Sequence, residues 1–199
     1  IKYSKKIGYK IKLVAYSEIT NNSIFNIVEP ILVKNNSKLA NVNGVLNGIK
    51  IKTRFLEDIF FEGPGAGGPA TAGSIISDIY EIIKNPNADN LGFKINKLKE
   101  IKKIDYSEIV NSFYIRINVK DLPGVLAKIT SNLNSEGISI ETILQLPKNN
   151  SLKNNNEVSI IITTHETKAK LLNEVISKIE KFDFVVSDIV TLSIDKSVN

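Results

Sequence analysis

The stretch that organises the chain is Glu62-Gly63-Pro64-Gly65-Ala66-Gly67-Gly68-Pro69-Ala70-Thr71-Ala72, which holds four of the eleven glycines. Ile59-Phe60-Phe61 enters it, and apolar residues spaced by three and four follow it. This pattern predicts a strand, a glycine-rich turn and the N-terminus of a helix. Glycine lets another group come close, and the free N–H groups of a helix N-terminus favour a polar or anionic ligand. The stretch therefore predicts either a binding turn built from backbone or a tight strand–helix connection.

The glycine-rich turn does not match two common phosphate-binding motifs. It lacks the Gly-Lys-Ser/Thr of a Walker A loop, and it is not a G-x-G-x-x-G fingerprint near a first strand. The wider pattern is more specific, because three stretches occur in a fixed order. They are residues 6–18 (KIGYKIKLVAYSE), 39–51 (LANVNGVLNGIKI) and 61–78 (FEGPGAGGPATAGSIISD).

In that order the three stretches resemble the C-terminal part of the catalytic region of homoserine dehydrogenases. Two positions depart from the family pattern. Gly48 stands where the family usually has Ala, and Ala70 stands where many members have Pro, with Pro69 one place earlier. Both are positions of backbone geometry, so the departures bear on the shape of the turn.

The last part of the chain predicts a second, smaller domain. Alternating and helical apolar patterns over residues 113–194 predict the order βαββαβ of a ferredoxin-like fold. The turn Asp121-Leu122-Pro123-Gly124-Val125-Leu126, followed by Gly137-Ile138-Ser139-Ile140, resembles an ACT domain. ACT domains are small regulatory modules that bind amino acids, usually at a paired interface.

We therefore expect an α+β fold (α/β sandwich) with two domains. Residues 1–104 are predicted to be the C-terminal part of the catalytic domain, a mixed or antiparallel sheet of three to four strands with helices on one face. Residues 105–199 are predicted to be the ACT domain. The break is placed near residue 105, inside a polar, Lys-rich segment where the charge balance changes from +7 to −2. The chain opens on what looks like the tail of a helix closed by Gly8, which suggests that an upstream portion is absent.

Composition excludes several classes of site. The 199 residues include no Cys and one His, which excludes disulfides, thiolate chemistry and a multi-histidine metal site. His165 is expected to be a surface residue near a helix start. No apolar run is long enough to span a membrane, and no signal peptide is recognised. The net charge of +5 is nearly all Lys, without the Arg-rich patch of nucleic-acid binders. We expect a cytoplasmic protein without nucleic-acid or membrane partners.

The resemblance implies an NAD(P)-dependent oxidoreductase that interconverts L-homoserine and L-aspartate 4-semialdehyde. In that family the Rossmann domain, the acid–base lysine and the acidic residues that hold homoserine lie N-terminal to the matched region. We therefore expect no catalytic residue in residues 1–199 and no activity of the chain alone. By the same resemblance Gly67 approaches the nicotinamide of NADP or NAD, while Gly65, Ala66 and Gly68 shape that approach.

The ACT resemblance implies an effector site. Asp121 and Ser139 match positions that contact effector amino acids, Gln145 is a weaker candidate, and threonine is the effector that the family suggests. Asp121 could instead cap the helix at Pro123.

Two other functions stay open: a stand-alone amino-acid sensor with an ACT module, and the ACT end of a different amino-acid-pathway enzyme. The glycine-rich block argues against the second of these. Exposed sheet edges predict a homo-oligomer in either case.

Overall fold

The computed structural model describes residues 1–20, 22–56, 58–86, 94–145 and 156–195. A polar loop expected at residues 147–156 lies outside these ranges except for Asn156. In chain order the helices and strands are α1 (Lys2–Lys6), β1 (Tyr9–Thr20), β2 (Ser23–Lys34), α2 (Lys38–Asn41), β3 (Leu46–Ile51), β4 (Ile59–Pro64), α3 (Gly68–Lys84), β5 (Lys102–Lys103), β6 (Val110–Asn111), β7 (Phe113–Lys120), α4 (Val125–Ser135), β8 (Ile140–Gln145), β9 (Glu157–Thr164), β10 (Thr167–Lys168), α5 (Ala169–Ile179) and β11 (Val190–Ile194).

The chain forms two compact units. One joins Ile1–Asn35 to Lys102–Asn199, and the other is Asn36–Ile101. The first unit therefore contains the opening helix and hairpin together with the predicted ACT segment. The boundary expected near residue 105 divides the chain by family resemblance, whereas the compact units follow contact in space.

The main sheet of the first unit has the strand order β1-β2-β11-β7-β9-β8, with β5 pairing β2. The pairs β11–β7, β7–β9 and β9–β8 are all antiparallel, which gives the predicted βαββαβ ferredoxin-like arrangement. The β1–β2 hairpin joins that arrangement through a short parallel ladder between β2 and β11, in which Ser193 is opposite Ile31 and Ile194 is opposite Leu32.

The expected α+β class with a mixed sheet is confirmed, but one detail of the sheet is corrected. The strands expected to form a single sheet within residues 1–104 are divided between two sheets. β1 and β2 extend the main sheet, while β3 and β4 form a two-stranded sheet of their own. The division arises because β2 has an edge available for pairing and uses part of it for β11, a strand about 160 residues later in the chain.

Clusters of buried apolar side chains lie on both faces of the main sheet. On one face α4 and α5 contribute to the larger core, whose fully buried members include Ile115, Ile117, Ile129, Leu133, Ile160, Ile162, Leu172 and Ile179. On the other face Leu32, Tyr114, Ile161 and Ile194 form a smaller cluster, against which Tyr3, Ile7 and Tyr9 pack. Burial of each such side chain contributes about 1.5–3 kcal/mol. The smaller cluster is what holds α1 and the hairpin to the predicted ACT strands.

The second unit contains the glycine-rich turn. Ser37 caps α2, because its Oγ accepts a hydrogen bond of 3.2 Å from the Ala40 N–H. The strand β4 begins only at Ile59, because the chain bends at residues 54–56, where Thr53 Oγ1 accepts a hydrogen bond from the Leu56 N–H. The helix after the turn is confirmed as α3, yet none of its residues is buried, and Ile76 is 67% exposed.

Candidate functional site

The glycine-rich turn connects β4 directly to α3. Gly67 is the residue before the helix, with φ 123° and ψ 148°, a conformation that only glycine adopts readily. Its carbonyl accepts the first helical hydrogen bond, from the Thr71 N–H at 3.0 Å. Ala66, Gly67 and Gly68 are exposed, and their amides donate no hydrogen bond to any residue that the structure describes. The turn therefore presents free N–H donors on an open surface, as the sequence predicted.

Gly65 anchors the turn to β3. Its N–H donates to the Val45 carbonyl at 2.8 Å, and a Cβ built on Gly65 would fall 1.9 Å from Asn47 Nδ2. Around Gly67 and Gly68, by contrast, a Cβ would meet no atom within 4 Å. Gly65 therefore fixes the position of the loop, while the other two glycines leave open space in front of it.

The departure at Gly48 has a packing reason. A Cβ at this position would lie 2.7 Å from Val42 Cγ2 and 2.9 Å from Phe60 Cζ. Val42 and Phe60 occupy the space that the alanine usual in the family would need.

Charged side chains lie at the far end of the β3–β4 hairpin from the turn. Lys50 Nζ is 2.5 Å from Asp58 Oδ2, near the Ile51–Ile59 end, whereas the turn follows the Leu46–Pro64 end. The hydrogen bond from Lys50 outweighs partial desolvation and, with the nearby Lys52 and Lys38 charges, lowers the pKa of Asp58. No acidic residue occupies the first turn of α3. The first turn of α3 therefore offers backbone hydrogen-bond donors to a ligand, and no acidic side chain there could transfer a proton.

The predicted effector residues lie at two ends of the main sheet. Asp121 directly follows β7, and Gln145 is the last residue of β8, so both are at one end because β7 and β8 run in the same direction. Ser139 directly precedes β8, and its carbonyl accepts from the His165 N–H at 2.9 Å. Six strand residues separate the two ends, a distance of about 20 Å. One chain therefore places Asp121 and Gln145 toward one end, on either side of β9 and offset by about 13 Å along it, and leaves Ser139 at the other end.

The alternative role of Asp121 as a helix cap is not observed. α4 begins at Val125, its capping residue is Gly124 with φ 84°, and no side chain caps it. Asp121 is exposed, and its N–H donates to the Asn156 carbonyl at 2.7 Å. The Asp121 side chain therefore does not cap α4.

Other chemistry-bearing groups were also located. His165 is an exposed residue between β9 and β10, near the start of α5. Within the described ranges, no group of three or more acidic or His side chains is arranged to hold a metal ion. The described helices include none that is long and apolar enough to cross a membrane.

Family models match the two ends of the chain. Residues 1–80 match the model described as homoserine dehydrogenase, and residues 113–184 match the model described as ACT domain. These matches contain the two turns described above, with the glycine-rich turn in the first and Asp121 in the second.

Individual relatives agree with both matches. A homoserine dehydrogenase of Neisseria gonorrhoeae is 31% identical over 98% of this chain and 45% of its own length. One from Bacillus subtilis is 30% identical over 93% of this chain and 42% of its own length. The crystal structure of a homoserine dehydrogenase from Thiobacillus denitrificans superposes with a TM-score of 0.87 at 27% identity, over 100% of this chain and 45% of that one. The chain thus spans a little less than half the length of the proteins that it matches.

Proposed function

We propose that this chain, which carries a homoserine dehydrogenase region and an ACT domain, works as the C-terminal part of a homoserine dehydrogenase. The activity of that enzyme is the NAD(P)-dependent interconversion of L-homoserine and L-aspartate 4-semialdehyde, in the biosynthesis of threonine, methionine and isoleucine. The observation that carries the proposal is the geometry of the Gly65–Gly68 turn inside the matched region. Its open backbone donors are what a wall of a cofactor site requires.

The residues of the turn fit the approach of a nicotinamide cofactor. Gly67 and Gly68 expose their amides, and nothing within 4 Å occupies the space where side chains would otherwise project. The bound cofactor would accept or supply the hydride. Gly67 would make the closest approach, Ala66 and Gly68 would shape it through backbone alone, and Gly65 would hold the loop against β3 through its bond to Val45.

The chain by itself should have no dehydrogenase activity. A hydride transferase needs a cofactor platform and an acid–base group, and the turn supplies neither. The test is a spectrophotometric assay of residues 1–199 with L-homoserine and either NADP or NAD, with a full-length homoserine dehydrogenase as the positive control. Turnover above background would contradict this assignment of roles. We expect activity only when a Rossmann domain is present, either fused to this chain or added as a separate protein.

The ACT domain is proposed to sense an amino acid, with threonine as the effector. Asp121 and Gln145 lie toward one end of the sheet, and Ser139 lies toward the other, about 20 Å from Gln145 and about 30 Å from Asp121 along the strand direction. An effector site that used both Asp121 and Ser139 would therefore require a second copy of the chain. This geometry supports a homo-oligomer with effector sites between ACT domains.

Calorimetry of the chain with threonine, with serine and valine as comparison ligands, tests the effector site. We expect saturable heat with threonine, which is lost in Asp121→Ala and kept in Asp78→Ala, a matched change of an exposed Asp in α3 of the other compact unit. Analytical ultracentrifugation should show that the chain is oligomeric under the conditions in which threonine binds. Absence of heat at millimolar threonine would remove the regulatory function.

A stand-alone amino-acid-binding regulator is the second candidate, and the ACT match at residues 113–184 favours it as much as the first. The reading frame upstream of Ile1 distinguishes the two. A Rossmann fingerprint in frame supports the enzyme, whereas a start codon at that point supports the regulator.

A further inference from the structure

The first compact unit contains a cavity that no part of the proposed function uses. It lies on the face of the β1–β2 hairpin that carries Phe25, beside the helical turn Tyr106–Glu108 and the end of β11. Its volume is about 60 Å³, and a larger and more open cavity of about 270 Å³ adjoins it. A cavity needs only about 10–15 Å³ to hold one water, so this cavity is larger than a single water requires. We call the smaller space the aromatic cavity.

Three aromatic rings from three segments line the aromatic cavity. The ring centroids of Tyr16 and Phe25 are 6.2 Å apart, and those of Phe25 and Tyr106 are 6.5 Å apart. Phe25 is only 6% exposed, so it forms the floor of the group. The face of an aromatic ring carries partial negative charge, so a space lined by several rings can attract an organic cation.

Carboxylates stand among the rings. Glu29 Oε1 accepts a hydrogen bond of 2.6 Å from Ser193 Oγ, and Glu18 Oε2 accepts one of 2.7 Å from the Tyr16 hydroxyl. Asp195 lines the same cavity. Of the described residues that line either cavity, none is Lys, Arg or His. The cavity is therefore electrostatically suited to a positive charge and unsuited to an anion.

The hydroxyls of the two tyrosines stay neutral at physiological pH. Burial, with the hydrogen bond to Glu18, raises the pKa of Tyr16, and burial also raises the pKa of Tyr106. The charged side chains that line the cavity are then the carboxylates of Glu18, Glu29 and Asp195. Between them lie the apolar side chains of Val14, Ile31 and Ile109, which would contact an alkyl chain.

We propose that the aromatic cavity binds a small organic cation, an alkylammonium group on a short apolar chain. The rings and carboxylates hold the charged head, and the apolar walls hold the chain. This site differs from the effector site proposed at Asp121 and Gln145, and its ligand differs in charge from a neutral zwitterionic amino acid. Because Tyr16 and Glu29 belong to the hairpin and Ser193 to β11, the bound cation ties the matched N-terminal region to the last strand of the ACT fold.

The test uses the whole chain and four probes: n-butylammonium, tetramethylammonium, butyrate and n-butanol, each followed by two-dimensional ¹H–¹⁵N NMR. We expect the two cations to shift the amides of Phe25, Ile109 and Ser193 saturably, with dissociation constants of about 1–10 mM for ligands of this size. Butyrate and butanol should leave these amides unshifted at the same concentrations. Sodium chloride at equal ionic strength controls for screening.

Two variants test the named contacts. Glu29→Gln keeps the shape of the side chain and removes its charge, and Tyr16→Leu removes a ring from a partly exposed position. Each should weaken butylammonium binding by about fivefold or more. Glu166→Gln, an exposed carboxylate outside the cavity, should bind like the parent chain.

Three results would overturn the proposal: no saturable shift with either cation, equal shifts with butanol or butyrate, or unchanged binding in folded Glu29→Gln and Tyr16→Leu. If a variant fails to fold, the comparison of cations with butanol in the parent chain still decides the matter. None of these outcomes depends on dehydrogenase activity or threonine binding, so this proposal and the function above can fail separately.

Discussion

The side chain of Asn47 occupies the space beside Gly65 in which any other residue would carry its Cβ, with Nδ2 1.9 Å from the ideal position. Asn47 belongs to the second of the three family-like stretches and Gly65 to the third. Their close approach joins the two stretches in the fold. A methyl group at position 65 would therefore collide with the Asn47 side chain.

Gly65→Ala should destabilise the second unit by about 1–3 kcal/mol, because either Asn47 or the loop must move to admit the methyl group. Thermal unfolding and hydrogen exchange of the β3–β4 amides would measure the loss. Gly63→Ala, where a Cβ meets nothing within 4 Å, is the matched control and should cost much less. Truncating Asn47 to Ala in the same chain should recover most of the Gly65→Ala loss, and simple additivity of the two changes would contradict the proposed contact.

Gly67→Ala should cost about 1–3 kcal/mol for a different reason. There is room for the methyl group, but the backbone conformation at φ 123° and ψ 148° is strained for any residue with a Cβ. Gly68→Ala, one residue later and at the start of α3, should be neutral or slightly stabilising. In an active enzyme that contains this chain, Gly67→Ala should also raise the KM for the nicotinamide. An unchanged melting temperature in Gly67→Ala would show that the turn adopts another shape.

Truncation of two helical isoleucines to alanine should lower stability by very different amounts. Ile129 in α4 is fully buried, so Ile129→Ala should destabilise by about 2–5 kcal/mol. Ile76 in α3 is 67% exposed, and Ile76→Ala should change stability by no more than about 0.5 kcal/mol. Urea denaturation of both variants makes the comparison. A large loss in Ile76→Ala would show that α3 is covered by a partner in solution, which ultracentrifugation could then identify as a second copy.

The ion pair of Lys50 and Asp58 predicts a dependence on acid pH. Because the folded-state pKa of Asp58 is lowered, its contribution to stability is present above its ordinary pKa of 3.8 and is lost as the pH falls through the lowered value. An NMR titration should find the Asp58 midpoint below 3.8. Lys50→Met should move that midpoint upward, whereas Lys84→Met, at the end of α3, should not. Asp58 is exposed, so the effect on total stability should be small and should decrease with added salt.

Local patterns were sufficient for most helices and strands. Alternation over residues 113–120 predicted β7, and spacings of three and four predicted α3 and α5, all of which occur. Periodicity reports that one side of an element is apolar, but not what covers that side. α3 illustrates this limit, since its isoleucine stripe is regular in sequence and exposed in the structure.

The sheet connection could not be predicted from local patterns. Ile31 and Ser193 pair across the β2–β11 ladder although they are distant in sequence, and a ladder of two residue pairs leaves no recognisable motif. Strand signals identify strands and not their neighbours, so the hairpin was assigned to the wrong sheet. The physical determinant is the second apolar cluster, in which Leu32 and Ile194 are buried together.

The glycine-rich turn could be recognised in the sequence because its backbone conformation requires glycine, whereas the aromatic cavity could not be recognised. Gly67 adopts φ 123°, a backbone conformation that favours glycine, and the glycine run made this turn recognisable. The aromatic cavity has no such signature, because Tyr16, Phe25 and Tyr106 come from segments that only the tertiary fold brings together. The only hint of this cavity in the sequence was that aromatic and acidic residues alternate along the β1–β2 hairpin, as in Tyr16 and Glu18.

The parallel ladder between β2 and β11 has a consequence for biosynthesis. The ribosome releases the hairpin long before it makes Ile194, so the part of the β2 edge that pairs with β11 stays unpaired while about 160 residues are added. Contacts between such distant residues form slowly, and an exposed edge during that delay invites pairing with other nascent chains. Premature termination before β11 should therefore leave a hairpin without its docking strand and yield an insoluble product.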